Sequence, residues 1–133
     1  MKQLTVTTSG QNQVVDITDS ITKEIPDSFD GVAVLNVLHT TCGLTTADLD
    51  PGTDLDLLDA IKELVPKIRY RHPHNPEPEH VGDHIMSSII GTSLHIPVQN
   101  GEFVLGTWQR IILIEMDGPR KRNITLNLLS ESV

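Results

Sequence analysis

The sequence predicts an α+β chain, mainly antiparallel strand with two or three helices. Three observations carry that reading. Short segments alternate apolar and polar residues, as half-buried strands do. Asn100-Gly101, a strong local hairpin signal, lies between two such segments. Three other stretches repeat apolar residues at helical spacing. The chain has 133 residues, the length of one ordinary domain, and shows no internal repeat or linker.

Taken in order, Leu4, Val6 and Thr8 alternate with polar residues and predict the first strand. Ser9-Gly10-Gln11-Asn12 reads as a turn, and residues 13–16 as the returning strand. Ile17, Ile21 and Ile25 mark a short helix, capped by Thr18 or Asp19 and ended by Pro26. After the Asp30-Gly31 turn, residues 32–38 are nearly all apolar and β-branched, which predicts a central strand covered on both faces. Thr53 caps the next helix. Asp54 and Asp56 sit in its first turn against the positive helix end, and Pro66 ends it. Its apolar stripe is Leu57, Leu58, Ile61, Leu64 and Val65. Asp83 caps a third helix that stops at Gly91, which puts His84 in the first turn. A strand over residues 93–98 leads into the Asn-Gly turn. Residues 103–116 form strand again, broken at Gly106. Alternation puts Trp108, Arg110, Ile112 and Ile114 on one face, and Thr107, Gln109, Ile111, Leu113 and Glu115 on the other. Asp117-Gly118-Pro119-Arg120 is a tight turn, and a last strand covers residues 124–128.

Composition excludes several classes of partner. Net charge is -8, which argues against general binding to nucleic acid or an anionic membrane, since both need a cationic face. No apolar run approaches the roughly 20 residues that span a bilayer. The N-terminus is already strand-like, with no apolar signal core. Cys42 is the only cysteine, so no intrachain disulfide forms, and a reducing, cytoplasmic setting fits. Flanked by small residues, Cys42 reads as a buried, inert thiol.

Chemistry concentrates in four places. Residues 69–84 hold four of the six histidines, and their prolines forbid a regular helix. Neutral imidazole is the commonest protein ligand for a transition metal. In extended backbone His72 and His74 point to one side, with His80 or His84 available as a third ligand. A solvated, His-rich surface loop is the plain alternative. His39, Thr40 and Thr41 follow the buried strand, where sites are often built, although the threonines also suit a simple turn. Glu115 closes an apolar run and needs a cation, a metal or a proton there. Arg120-Lys121-Arg122 is the densest positive cluster in the chain and suits phosphate, though a solvated turn is the usual origin of such a run. The aspartates at 48, 50, 54, 56 and 59 lack EF-hand spacing and read as helix electrostatics.

Several blocks together resemble the YjbQ-like family, often labelled secondary thiamine-phosphate synthase. They are His39-Thr40-Thr41 with Leu44-Thr45, Asp50-Pro51 before a helix, Tyr70-Arg71-His72, His84-Ile85 and Gly91-Thr92-Ser93-Leu94. Further on come Ile96-Pro97-Val98 with Asn100-Gly101, Leu105-Gly106-Thr107-Trp108-Gln109, and Glu115-x-Asp117-Gly118-Pro119-Arg120-x-Arg122. They occur in order over nearly the whole chain. Two departures stand out: Asp83 and Met86 replace the family's usual Ala before the helix histidine and Lys after it. Asp83 is then available to orient His84.

The resemblance implies a jelly-roll-like antiparallel β-sandwich with helices outside, assembled as a homotrimer with a polar site near the subunit boundary. It implies a site of His39, His72, His84 and Glu115, with Thr40, Thr107, Gln109, Arg120 and Arg122 binding substrate. The expected function is a small metabolite-handling enzyme of the thiamine-phosphate synthase type. In it His39, His72 and His84 hold a divalent metal, zinc or magnesium, or act as acid-base groups. The alternatives are a metal-dependent hydrolase or transferase of a phosphorylated metabolite, and a non-catalytic ligand-binding trimer.

Overall fold

Among the described residues every strand pair is antiparallel, and the strands form two sheets. The computed structural model describes residues 1–66, 68–71 and 78–132, with 78–80 described by backbone alone. In order the elements are β1 (Lys2–Thr7), β2 (Gln13–Asp16), α1 (Thr18–Thr22), β3 (Gly31–Val37), β4 (Cys42–Ala47) and α2 (Thr53–Leu64). They continue as α3 (Pro78–Ile90), β5 (Ser93–Gln99), β6 (Glu102–Phe103), β7 (Arg110–Glu115) and β8 (Lys121–Ser130). One sheet has the order β1-β8-β3-β5-β6 and the other β2-β7-β4. The α+β, mainly antiparallel reading therefore holds. No helix among the described residues is long and apolar enough to cross a membrane.

The core lies between the sheets. Ala33, Leu35, Leu44, Ile96, Ile111, Leu113, Ile124 and Leu126 meet there. A second cluster joins the outer face of the three-stranded sheet to the helices, through Ile61, Met86, Ile112, Ile114 and Met116. β7 thus sends Ile111 and Leu113 into the sandwich and Ile112 and Ile114 towards α2 and α3. Each such side chain contributes roughly 1.5–3 kcal/mol on burial, so a one-residue slip of β7 would misplace all four. The Asn-Gly turn forms as expected: Asn100 (φ 51°) and Gly101 (φ 74°) both take positive φ, as a type I′ hairpin turn requires.

Elsewhere the structure corrects the sequence reading. β1 and β2 are not a hairpin: β1 pairs β8, β2 pairs β7, and the intervening turn carries the chain from one sheet to the other. Neither Thr18 nor Asp19 caps α1. The Asp16 carboxylate accepts from Thr18 N–H (3.0 Å) and the Thr18 hydroxyl (2.7 Å). Gly52, not Thr53, is the cap of α2, in left-handed conformation (φ 92°), and Leu64 is exposed rather than part of the stripe. β3 is central in its sheet, but only Ala33, Leu35 and Val37 are buried; Val32, Val34 and Asn36 on its outer face are half-buried. Cys42–Ala47, which the sequence suggests as a turn, is the strand β4. Residues 107–109 precede β7 instead of extending it, and β8 starts early enough to include Arg122.

The histidine-rich segment is part helix. α3 begins at Pro78, where a missing N–H costs nothing in a first turn. Asp83 is therefore not its cap, and His84 stands in the second turn. His72 and His74 lie outside the described residues, as does the side chain of His80.

Candidate functional site

Three segments converge at one end of the sandwich: the turn between β3 and β4, the turn between β7 and β8, and α3. The first is stitched to β8 by Leu38 N–H donating to the Asn123 carbonyl (3.0 Å). It is stitched to β7 by Met116 N–H donating to the Thr41 carbonyl (3.2 Å). The second turn packs so closely that a Cβ on Gly118 would lie 2.3 Å from the Gly10 carbonyl oxygen. α3 is fixed to β4 by the Ser87 hydroxyl donating to the Cys42 carbonyl (2.6 Å) and by Leu44 N–H donating to the Gly91 carbonyl (2.9 Å).

Between these segments lies a cleft of about 720 Å³, largely open to solvent. His39, Thr40 and Thr41 line it from the first turn, Asp117, Arg120, Lys121 and Arg122 from the second turn and β8, and His84 from α3. Five residues named from the sequence, His39, Thr40, His84, Arg120 and Arg122, are thus brought together. Thr107 and Gln109 are not. They sit at the opposite end of β7 from Glu115, roughly 20 Å away at strand rise. There Gln109 holds its own loop: its Oε1 accepts from Gly106 N–H (3.0 Å) and its Nε2 donates to the Thr46 hydroxyl (2.9 Å).

Glu115 lies under the wall rather than on it. Glu115 is fully buried and Arg122 is 2% exposed. Arg122 donates from Nε to Glu115 Oε1 (2.9 Å) and from Nη2 to Glu115 Oε2, and Nη2 also donates to the Thr41 hydroxyl (2.8 Å). The rest of the carboxylate is satisfied by the Thr8 hydroxyl on Oε1 (2.7 Å) and by Met116 and Asp117 N–H on Oε2 (3.1 and 3.2 Å). Burial pulls the Glu115 pKa up. Hydrogen bonds from Arg122, Thr8 and Asp117 N–H, with the Arg122 charge, outweigh it, and the carboxyl sits below its ordinary value. So the partner Glu115 needed is a cation from its own chain. None of the Arg122 hydrogen bonds within the described residues uses Nη1. Arg120 is steadied differently, by donating from Nε to the Asp117 carbonyl (2.7 Å) and from Nη2 to its carboxylate (3.0 Å).

His39 accepts a hydrogen bond at Nε2 from Asn123 N–H (2.9 Å). A neutral imidazole has one lone pair, so the proton is on Nδ1. Burial first, then the charge of Arg122, hold its pKa below the ordinary value, against the pull of Glu115. Cys42 is buried, and burial pushes its thiol up to about 11, as expected of an inert cysteine.

The described residues do not assemble a metal centre. Among them no group of three or more His, Cys, Asp or Glu is placed to hold an ion. In this arrangement His39 also has no spare lone pair, because Asn123 occupies Nε2. His72, the remaining member of the expected set with His39 and His84, lies outside the described residues. Thr41 and Lys121, named from the sequence in the hydroxyl and basic runs, line the cavity as well, and Thr8 is the contributor the sequence does not mark. Thr8 gave no signal, since 107 positions separate it from Glu115.

Comparison with known proteins agrees with the motif blocks. The family model described as UPF0047 protein YjbQ-like matches residues 2–131. A UPF0047 protein of Archaeoglobus fulgidus is 32% identical over 127 residues, covering 96% of this chain and 99% of the relative. The UPF0047 protein YugU of Bacillus subtilis is also 32% identical, covering 97% and 98%. Among solved structures, a YjbQ/UPF0047 family protein from Clostridium acetobutylicum is similar at TM-score 0.84 and 34% identity, covering 97% of this chain and 100% of the other. A hypothetical protein from Aeropyrum pernix K1 is similar at TM-score 0.85 and 36% identity, covering 98% of each chain. The chain belongs to the YjbQ-like UPF0047 family.

Proposed function

We propose that this YjbQ-like chain handles a small phosphorylated metabolite in the cavity between His39, His84, Arg120, Lys121 and Arg122. One observation carries the reading. In a chain of net charge -8, three consecutive cationic residues and two imidazoles line a single cavity. Its volume of about 720 Å³ fits a small metabolite, since such sites run to roughly 300–1,000 Å³. Both arginines are oriented in advance by protein acceptors, which lowers the entropy lost on gripping an anion. His39, with its proton on Nδ1, supplies a neutral donor beside them.

The finer reading is a transfer of the thiamine-phosphate synthase type, joining a hydroxymethylpyrimidine diphosphate to a thiazole phosphate. Pyrophosphate must leave in that reaction. Arg120, Lys121 and Arg122 suit the neutralisation of its charge, while the cavity walls align the two rings. His84 and His39 then serve as proton-handling or donor groups on the opposite wall. Bound zinc or magnesium, the other role for His39, His72 and His84, supplies further charge neutralisation. In this arrangement it requires His39 to give up the Asn123 bond. We take the assembly to be a homotrimer, with this cavity near a subunit boundary, in a cytoplasmic setting.

The test is an assay of the purified protein with both substrates, run beside His84→Ala and Arg122→Gln. Losing a hydrogen bond to a charged group is worth about tenfold or more, so both variants should fall by at least that factor. Equal rates in all three proteins remove the assignment. Binding of both substrates with no product leaves a ligand-binding protein instead of an enzyme.

A further inference from the structure

Arg120 and Arg122 flank the cavity on neighbouring positions of one strand entry, yet their side chains do not touch the same acceptor. What links them is Thr8, at the end of β1. Its side chain is 2% exposed. The hydroxyl donates to Glu115 Oε1 at 2.7 Å. It accepts from Arg120 N–H at 2.9 Å. Glu115 Oε1 in turn accepts from Arg122 Nε at 2.9 Å. One chain of hydrogen bonds therefore runs from the Arg120 backbone through Thr8 and Glu115 to the Arg122 guanidinium. Thr8 N–H also donates to the Arg120 carbonyl (2.9 Å), so the same residue clamps the turn from both sides.

We propose that Thr8 is a positioning residue for the anion site, setting the Arg122 fork through Glu115 and the Arg120 backbone directly. The inference rests on the phosphorylated-metabolite reading of the cavity. A threonine hydroxyl is suited to the task. It gives its one proton to the carboxylate and keeps lone pairs for the Arg120 N–H. Without that proton Glu115 Oε1 has Arg122 alone, and the guanidinium is free to rock about its remaining bonds. The nitrogen that such rocking moves furthest is Nη1, the one that no protein acceptor among the described residues holds.

The experiment compares wild type, Thr8→Val, Thr8→Ser and Arg122→Gln by two measurements. The first is calorimetric affinity for inorganic pyrophosphate. Thr8→Val should bind about three- to tenfold more weakly, the cost of re-ordering a loosened side chain on binding, while Thr8→Ser should stay close to wild type. The second is hydrogen exchange at the Arg122 Nε–H, followed by ¹⁵N NMR without ligand. It should be faster in Thr8→Val and restored in Thr8→Ser. Equal affinity and equal exchange in wild type and Thr8→Val overturn the proposal. So does a loss in Thr8→Val that serine does not rescue. If wild type itself binds no pyrophosphate, the anion reading fails, while the exchange comparison still decides whether Thr8 holds Arg122.

Discussion

A single backbone N–H fixes the chemistry open to His39. Asn123 N–H points at Nε2, so an imidazolium there would set two N–H groups against each other. Burial and the Arg122 charge act in the same direction, and the folded pKa lies below the ordinary 6.5. A depressed folded pKa means that the unfolded chain takes up the proton first. The His39 contribution to stability is therefore complete above pH 6.5 and is lost as pH falls through the folded pKa. Nitrogen NMR of the imidazole should show the Nδ1–H tautomer at neutral pH and a midpoint below 6.5; the opposite tautomer, or a midpoint above 6.5, contradicts this. Glu115 obeys the same sign at lower pH. Its folded pKa is below the ordinary 4.5, so its stabilisation is complete above that value and fades as pH falls through the folded pKa. Glu115→Gln strands the buried Arg122 charge and should cost about 3–5 kcal/mol at neutral pH. Urea denaturation should show that gap narrowing under acid, as the wild-type carboxyl takes up its own proton. A gap independent of pH would mean that the pair is not what stabilises this end.

α3 reaches the site only because β4 lets it approach. A Cβ on Gly43 would lie 2.7 Å from Ile90 Cγ2 and 3.1 Å from the Gly91 carbonyl oxygen, so glycine there is a matter of space. Gly43→Ala should cost about 1–3 kcal/mol by overpacking, read by chemical denaturation, and should weaken pyrophosphate binding by shifting His84. An alanine variant as stable as wild type would show that the helix has slack. The same region marks the limits of reading elements from sequence. β7 is legible because residues 111–114 form a continuous apolar run rich in isoleucine, the mark of a strand buried on both faces. β4 is not, since Gly43 weakens the strand signal and a run of threonine hydroxyls around it also suits a turn; pairing with β7 makes the strand. The start of α3 is not legible because proline usually breaks a helix, whereas it is well accommodated in a first turn, where Pro78 stands. The β1–β2 turn looked like a hairpin because local chemistry does not say which sheet the next strand joins.

Across the whole molecule, residue types pointed to the site, but convergence did not follow from spacing. Imidazoles, threonines and the basic run each announced polar chemistry. Only the sandwich brings the end of β3, the start of β8 and one face of α3 to a common cavity. The threonine behind them lies more than a hundred positions from its carboxylate, and no local pattern marks it. The same architecture bears on assembly. All three helices pack against the three-stranded sheet. The centre of the outer face of the five-stranded sheet, on β3 and β8, carries Val32, Val34, Asn36, Thr125, Asn127 and Leu129, with the charges of Lys121 and Glu102 only towards its margins. In a chain with 21% charged residues, such a face is better suited to another protein surface than to water. Thr107 and Gln109, which the motif blocks associate with the site, stand at the far end of β7 from the cavity, so in one copy they cannot serve it. In the proposed homotrimer a neighbouring copy would bring them within reach. On that proposal light scattering on the purified protein should give three chain masses, and Val34→Lys on that face should lower the mass without unfolding the sandwich. A single chain mass for the wild type would confine the site to the residues of one copy and remove Thr107 and Gln109 from it.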